Sequence, residues 1–473
     1  MRLNSLFFNR KVRKGMRKGR KENRPISPRL QYILRTGLCQ RFPLDKPLRR
    51  FATKRFRNFN PLTETSKSPI IPFDAIPYTR KKRVMLKCAS VYTSEVDDFD
   101  AALAEIKAQL EQKITLLKHS VGIVMCHPEF LGTGIVEHIC KNLPFDLAGT
   151  TTSSQAVNDQ VGDLILTVFV MTSDDIVFKT GMIEAWGNDV DGAVQTAYEK
   201  TTAGTAEASE QPKLALLFPP FGQHAGDEYV RAWEKVLPGT PLFGTHAIDD
   251  TTTFTECRTI YNGQHYEAAM PFILCYGNIN PRFLIATFSE DSIVSSRAEI
   301  TKAKGNCIYE INNIATVEYF EKIGFADISF MTPFITFDSA KRKYDDGIPV
   351  IRGFSTFTEE GAAAFYGEME EGATFALLKW NTDHMLSATS QKISEINGMS
   401  DVNGVLLFPC CIRRAMLVGV NNPLLELVTV KENIRQEIPF MMADAGGEIC
   451  PTSIRDGVPL NRFHNYSIVI LIV

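Results

Sequence analysis

Leu147-Ala148-Gly149-Thr150-Thr151-Thr152 ends one apolar strand, and Leu242-Phe243-Gly244-Thr245-His246 ends another far downstream. Each Gly-Thr turn closes a unit of the same order. In the first unit, Val121-Gly122-Ile123-Val124-Met125-Cys126 reads as a strand and Ile135–Leu143 as a helix. In the second, Leu214-Ala215-Leu216-Leu217-Phe218 is the strand and Asp227–Leu237 the helix. Further β-rich sequence follows both, at Leu164–Val177 and Ala268–Phe288. The pattern predicts an α/β fold of mixed α+β class, with a duplicated β-α-β-β unit forming a layered core.

Ahead of the first unit, Leu103, Ile106, Leu110, Ile114 and Leu117 recur at helical steps. With Asp98 and Asp100 at the favourable N-terminal end, they predict an amphipathic helix over 98–118. Thr201–Pro212 (TTAGTAEASEQP) reads as a small-polar linker between the two units. A different texture begins near Asn306. Glu310–Ile323 has a helical pattern, Val350–Phe357 and Thr374–Trp380 are β-rich, and a polar helix is expected near Thr389–Ile396. Residues 85–305 are therefore read as a domain with two internal repeats, and 306–473 as a C-terminal α+β domain.

The net charge of -2 conceals a split. Residues 1–84 carry 24 Lys/Arg and 4 Asp/Glu, whereas residues 85–473 carry 28 and 50. An acidic body with so few basic residues does not read as a nucleic-acid binder, because phosphate contacts need Lys and Arg. The basic, proline-broken leader predicts disorder, and no apolar core of a secretory signal lies in it. Globular patterning starts only after Met85, so 1–84 reads more simply as an over-extended start than as a functional arm. Ten cysteines occur without a CxxC spacing, which points to reduced thiols in the cytoplasm. No apolar run is long enough for a helical membrane span.

Chemistry-bearing residues gather near the C-terminus. The apolar stretch Gly404–Phe408 leads into Pro409-Cys410-Cys411-Ile412-Arg413-Arg414, followed by Gly446-Gly447-Glu448-Ile449 and Arg462-Phe463-His464-Asn465. Read as strand ends, these put a thiol, a guanidinium, a carboxylate and an imidazole within reach of one another. A Cys410 thiolate beside Arg413 would be a nucleophile, whereas a buried cysteine is inert. An inward Arg413 needs a carboxylate, either Glu448 or one on a ligand. His464-Asn465 follows a turn, where a capping role is the commonplace alternative. The Gly149–Thr152 turn offers hydroxyls and amides at a strand's C-terminal end, where α/β sheets bind ligands. Cys126, His127, His138 and Cys140 lack the geometry of one metal site, since His138 and Cys140 lie on different helix faces. No P-loop, GxGxxG, HExxH or nucleophile elbow is present, and no cofactor is expected.

Over about residues 85–473 the chain resembles the FIST family of intracellular signalling proteins. The resemblance is carried by Leu147–Thr152, then by Phe408-Pro409-Cys410-Cys411-Ile412-Arg413, Gly447-Glu448-Ile449 and His464-Asn465-Tyr466-Ser467. Pro409 stands where the family pattern has Ser, and the tyrosine that often precedes Gly-Glu is absent. The leader lies outside the resemblance.

The resemblance implies a sensory module that binds small ligands such as amino acids. In bacteria such modules accompany histidine kinases or cyclic-dinucleotide enzymes. No such output sequence is attached here, so a separate partner is expected. A zwitterionic amino acid would set its anionic group on Arg413 and its cationic group on Glu448, with the Gly149–Thr152 turn, Cys410, His464 and Asn465 around it. Two alternatives stand beside this reading: a thiol-dependent enzyme using Cys410 or Cys411 with His464 as base, and a protein-interaction scaffold.

Overall fold

Alternation along the apolar strands decides the architecture. In the computed structural model, which describes residues 86–473 apart from 188, 252, 289, 325–328, 330–331, 338–348 and 420, the strands send alternate side chains to two different cores. Ile123, Met125, Leu214, Leu216, Leu406 and Phe408 enter one shared interior. Their neighbours Val124, Leu217 and Leu407 face three separate helix layers. The leader 1–84 and the start near Met85 lie outside the described residues.

The two expected units are present, and the C-terminal α+β region holds a third. The first comprises β1 (Leu86–Thr93), α1 (Phe99–Lys113), β2 (His119–Cys126), α2 (Ile135–Asn142), β3 (Asp146–Thr151), β4 (Gln155–Val157), β5 (Val161–Gly162) and β6 (Leu166–Ser173). The second comprises β7 (Val177–Ile183), α3 (Val190–Thr202), β8 (Leu214–Leu217), α4 (Gly226–Val236), β9 (Leu242–Thr245), β10 (Thr259–Tyr261), β11 (Gln264–Tyr266) and β12 (Met270–Tyr276). The third opens with β13 (Arg282–Ala286) and is then interrupted by an insert. The insert contains β14 (Ala298–Lys304), β15 (Cys307–Ile311), β16 (Ile314–Ala315), α5 (Thr316–Lys322), β17 (Pro333–Phe337), β18 (Val350–Phe357), β19 (Ala363–Phe365) and β20 (Thr374–Leu377). The third unit resumes with α6 (Thr382–Asn397), β21 (Val405–Pro409), α7 (Cys411–Val418), α8 (Leu425–Asn433), β22 (Phe440–Ala443), β23 (Glu448–Arg455), β24 (Val458–His464) and β25 (Ile468–Ile472).

The three units build three six-stranded sheets of one topology: β1-β6-β2-β3-β10-β11, β7-β12-β8-β9-β23-β24 and β13-β25-β21-β22-β4-β5. Each has a central parallel pair joined through helix, β2–β3, β8–β9 or β21–β22, flanked by antiparallel strands. The last two strands of each sheet come from another unit. The β10–β11 hairpin completes the first sheet, β23–β24 the second and β4–β5 the third. The exchange is cyclic, so every unit lends a hairpin to one neighbour and receives one from the other. Strands from either side of residue 305 therefore share sheets, and the described residues form one compact unit.

The repeated glycine has a steric cause. Gly149 lies opposite Val124, and Gly244 opposite Leu217, across the parallel pairs. A Cβ at these positions would sit 1.8 Å from the Val124 carbonyl oxygen and 1.9 Å from that of Leu217. Beyond these strand ends the same closure recurs three times. The amides of Thr152, Ala247 and Ala445 donate to the carbonyls of Cys126, Pro219 and Pro409 at 2.9, 3.0 and 2.7 Å.

Several local expectations differ from the structure. Cys411–Arg414 do not continue a strand: β21 ends at Pro409, Cys410 caps α7, and the Arg413 amide donates to the Cys410 carbonyl at 2.9 Å. Glu310–Ile323 is not one helix. Asn312 and Asn313 both adopt positive φ and turn β15 back on β16 before α5 begins. The helix expected over 98–118 ends at Lys113, although Asp98 caps it as anticipated, accepting from the Asp100 and Ala101 amides. The segment read as a linker is helical at its start, because α3, capped by Asp189, runs to Thr202. Residues 305–306, where a domain boundary was suggested, form the turn between the paired strands β14 and β15.

The insert has its own core of Phe320, Phe334, Phe354, Phe365 and Phe375. It is tied to the three units by Arg352, 2% exposed. Its guanidinium donates to Asp227 Oδ1 at 2.9 Å, to the Phe463 carbonyl at 2.7 Å and to the Glu368 carbonyl at 3.1 Å.

Two predictions follow from this geometry. Gly149→Ala and Gly244→Ala should each cost about 3 kcal/mol in urea unfolding, the upper range for overpacking. Gly132→Ala, whose Cβ would meet nothing nearer than 4.0 Å, serves as control and stays within ~0.5 kcal/mol. Arg352→Leu should cost about 3–5 kcal/mol by stranding Asp227 as a buried charge, and adding Asp227→Leu should recover part of that loss in a double-mutant cycle.

Candidate functional site

The C-terminal ends of parallel strands converge where the three turns meet, and α/β sheets bind ligands at such ends. At the junction of the second and third units the insert closes over the turns and leaves a cleft of about 470 Å3. One wall is the segment between β8 and α4, from Phe221 to Gly226, with Glu228 one turn into the helix. His246, Gly446 and Phe463 form the floor, and Asn306, Ser355, Tyr366 and Glu368 of the insert form the opposite wall.

His246 is the distinctive group here. It is 4% exposed, and its Nε2 has no hydrogen-bond partner among the described residues. Burial holds the ring's pKa down to about 4, with a hydrogen bond to the Pro220 carbonyl opposing the shift. The imidazole is therefore neutral at ordinary pH. Phe463 packs against it with ring centroids 5.2 Å apart.

Behind the cleft the C-terminal candidates come together as a buried cluster. Glu448 is fully buried, and neither carboxyl oxygen makes a hydrogen bond of good geometry among the described residues. Burial pushes its pKa well above the usual carboxyl range. The neighbouring Cys410 adds to that shift, while the charge of Arg413 and the Ser467 amide oppose it. Burial thus disfavours the ionised form of Glu448. Cys410 is buried as well, and burial first, then Cys411, keeps its thiol protonated. His464 donates from Nε2 to the Cys450 carbonyl at 3.0 Å, and burial lowers its pKa to about 4. Asn465 Oδ1 accepts from the Gly353 amide of the insert at 3.2 Å.

Arg413 stands close enough to act electrostatically on Glu448, but its partner is Glu426. The pair is bidentate, Nε to Oε2 at 3.0 Å and Nη2 to Oε1 at 2.6 Å, with side chains only 1% and 2% exposed. Thr389 and the Tyr466 carbonyl accept two further bonds from the guanidinium, at 3.2 and 2.8 Å. The sequence had left a structural ion pair and a ligand anchor open. The geometry is that of the ion pair, with Glu426 in the place considered for Glu448.

The Gly149–Thr152 turn lies at a different junction and does not line the cleft. Its hydroxyls have partners within the protein: Thr150 donates to Met125 Sδ, Thr151 to the Arg258 carbonyl and Thr152 to the Asp444 carbonyl. Ser153 also donates to Asp444 Oδ2, at 2.7 Å. Of the residues weighed for a metal, His127 pairs with Asp250 at 3.3 Å and His138 with Asp100 at 3.2 Å. No cluster of three metal-type ligands occurs among the described residues.

Sequence reasoning missed His246, Ser355 and Tyr366. A signal for the first existed. In the register set by Val124–Gly149, Leu217–Gly244 and Leu407–Met442, the equivalent turn positions are Thr151, His246 and Asp444. The insert residues carried no such mark.

Among the described residues no helix is long and apolar enough to cross a membrane. The family model of the FIST N domain matches residues 120–314, and that of the FIST C domain matches residues 315–451. No curated protein matches the chain. The two matches abut at β16 within the insert and together cover most of the three-unit body, so the chain belongs to the FIST family, whose domains are sensory modules of signal transduction.

Proposed function

We propose that this protein is a cytoplasmic sensory module that binds a small metabolite, an amino acid or a related compound, in the cleft between His246 and the insert. The carrying observation is a buried, unpartnered His246 Nε2 on the floor of a cleft whose volume suits a small ligand. A buried polar atom without a partner is costly, and a ligand that supplies the missing hydrogen bond recovers that cost. In this reading Glu448, Cys410, His464 and Asn465 form the wall behind the cleft, and Arg413, neutralised by Glu426, holds that wall in place. The cytoplasmic setting is supported by free thiols at every described cysteine. Output would pass to a separate partner, such as a histidine kinase or a cyclic-dinucleotide enzyme, through movement of the insert.

The thiol-enzyme alternative has less support. Cys410 is a buried thiol whose pKa is raised, and His464 is committed to a backbone carbonyl. Neither group is poised for nucleophilic attack.

A thermal-shift screen of amino acids and related metabolites should find compounds that stabilise the protein. Ser355→Trp, which fills the cleft from the insert side, should abolish that stabilisation while leaving the unliganded unfolding midpoint near its original value. Absence of any stabilising compound, or an unchanged response in Ser355→Trp, would remove the cleft from consideration. Iodoacetamide at pH 7.5 should leave Cys410 unmodified in peptide maps of the native protein. Rapid labelling there would restore the thiol enzyme.

A further inference from the structure

The cleft has a one-sided charge pattern. No Lys or Arg is among its described lining residues, whereas Glu228 and Glu368 both face it. Glu368 is held by Arg231, which reaches it from outside the lining. Arg231 acts less strongly on Glu228, whose side chain is 42% exposed with His224 Nδ1 3.3 Å away. An anion would meet the first-turn amides of α4, but Asp227 and Glu228 already place negative charge at that helix end.

The inner end has a matching polarity. The Pro220 carbonyl, which can only accept, favours a proton on the ring. Nε2 is left without a partner, and with the proton on Nδ1 it offers a lone pair to a donor in the cleft. Phe221, Tyr366 and Phe463 supply aromatic surface along the walls, and aromatic faces attract cations.

We propose that the cleft recognises its ligand through an organic ammonium group, with His246 Nε2 accepting from an N–H and Glu228 supplying the counter-charge. This rests on the cleft being a ligand site and narrows the class of ligand. A primary amine finds an acceptor, a carboxylate and aromatic faces. A carboxylate on the ligand finds no cationic side chain among the described lining residues, so it is tolerated toward solvent and not required. Decarboxylated amines therefore bind as well as the corresponding amino acids.

The test uses three linear four-carbon probes that differ in their end groups: 1,4-diaminobutane, 4-aminobutanoate and butanedioate. Thermal shift and calorimetry on the full chain should show stabilisation by the first two and none by the third. Glu228→Gln, at a partly exposed position, should weaken amine binding about tenfold, as expected for loss of a charge-assisted contact. Stabilisation by butanedioate equal to that by the diamine, or amine affinity unchanged in Glu228→Gln, would overturn the proposal. So would a wider metabolite screen that yields ligands while both amine probes fail; the sensory reading of the cleft would survive that result. A screen that yields no ligand at all would sink both.

Discussion

The fold depends on a closed ring of backbone hydrogen bonds where its three turns meet. The equivalent amides of Thr151, His246 and Asp444 each donate across to the next unit, to the carbonyls of Arg258, Gly447 and Ser154 at 2.8, 3.0 and 3.0 Å. Return contacts run from the Ile248 amide to the Thr151 carbonyl, from the Gly446 amide to the His246 carbonyl, and from the Thr152 hydroxyl to the Asp444 carbonyl. These groups are buried, where an unpaired amide or carbonyl is costly. Opening any one junction would expose polar groups at the others. The ring also aims each outgoing chain at the neighbouring sheet, which is why the hairpins exchange cyclically and why no unit completes its sheet alone.

The same ring offers three equivalent side-chain positions to different uses. Thr151 hydrogen bonds the Arg258 carbonyl, and Asp444 accepts from Ser153 with Arg414 nearby. Both are accounted for within the protein. His246, at the third position, keeps an unpartnered nitrogen, and it lies where the insert roofs the junction. Symmetry of the backbone with asymmetry of side chains is an economical route to one binding cleft on a repeated scaffold. Two buried ion pairs hold the surroundings, Arg413–Glu426 beneath and Arg352–Asp227 at the insert. Such pairs contribute little net stability against desolvation, but breaking one is expensive. Arg413 holds α7 against α8, and Arg352 holds β18 of the insert against α4.

Strand alternation, the Gly-Thr turns and the cap at Asp98 are local signals legible in the chain, whereas the cap at Asp189 and the helix it opens went unread. The first two units were recognised because Gly149 and Gly244 answer the same close approach of parallel strands. The third escaped notice for a specific reason. Met442 stands at the position of those glycines, and the insert separates β13 from α6. In the C-terminal cluster Cys410 and Arg413 lie near Glu448, and His464 lies across the ladder from it. Its chemistry was misjudged where a partner came from an unmarked helix: nothing around Glu426 distinguishes it from any solvated glutamate until α8 buries it against Arg413.

By itself the sequence determined the α/β class, the repeated strand-helix-strand order, the turn glycines and the gathering of polar groups near the C-terminus, because periodicity and steric need are properties of short segments. Only the tertiary structure decided the cyclic exchange of hairpins, the pairing of Arg413 with Glu426 and the cleft around His246. Those outcomes depend on which buried groups from distant segments find partners and which, such as His246 Nε2 at the cleft, do not.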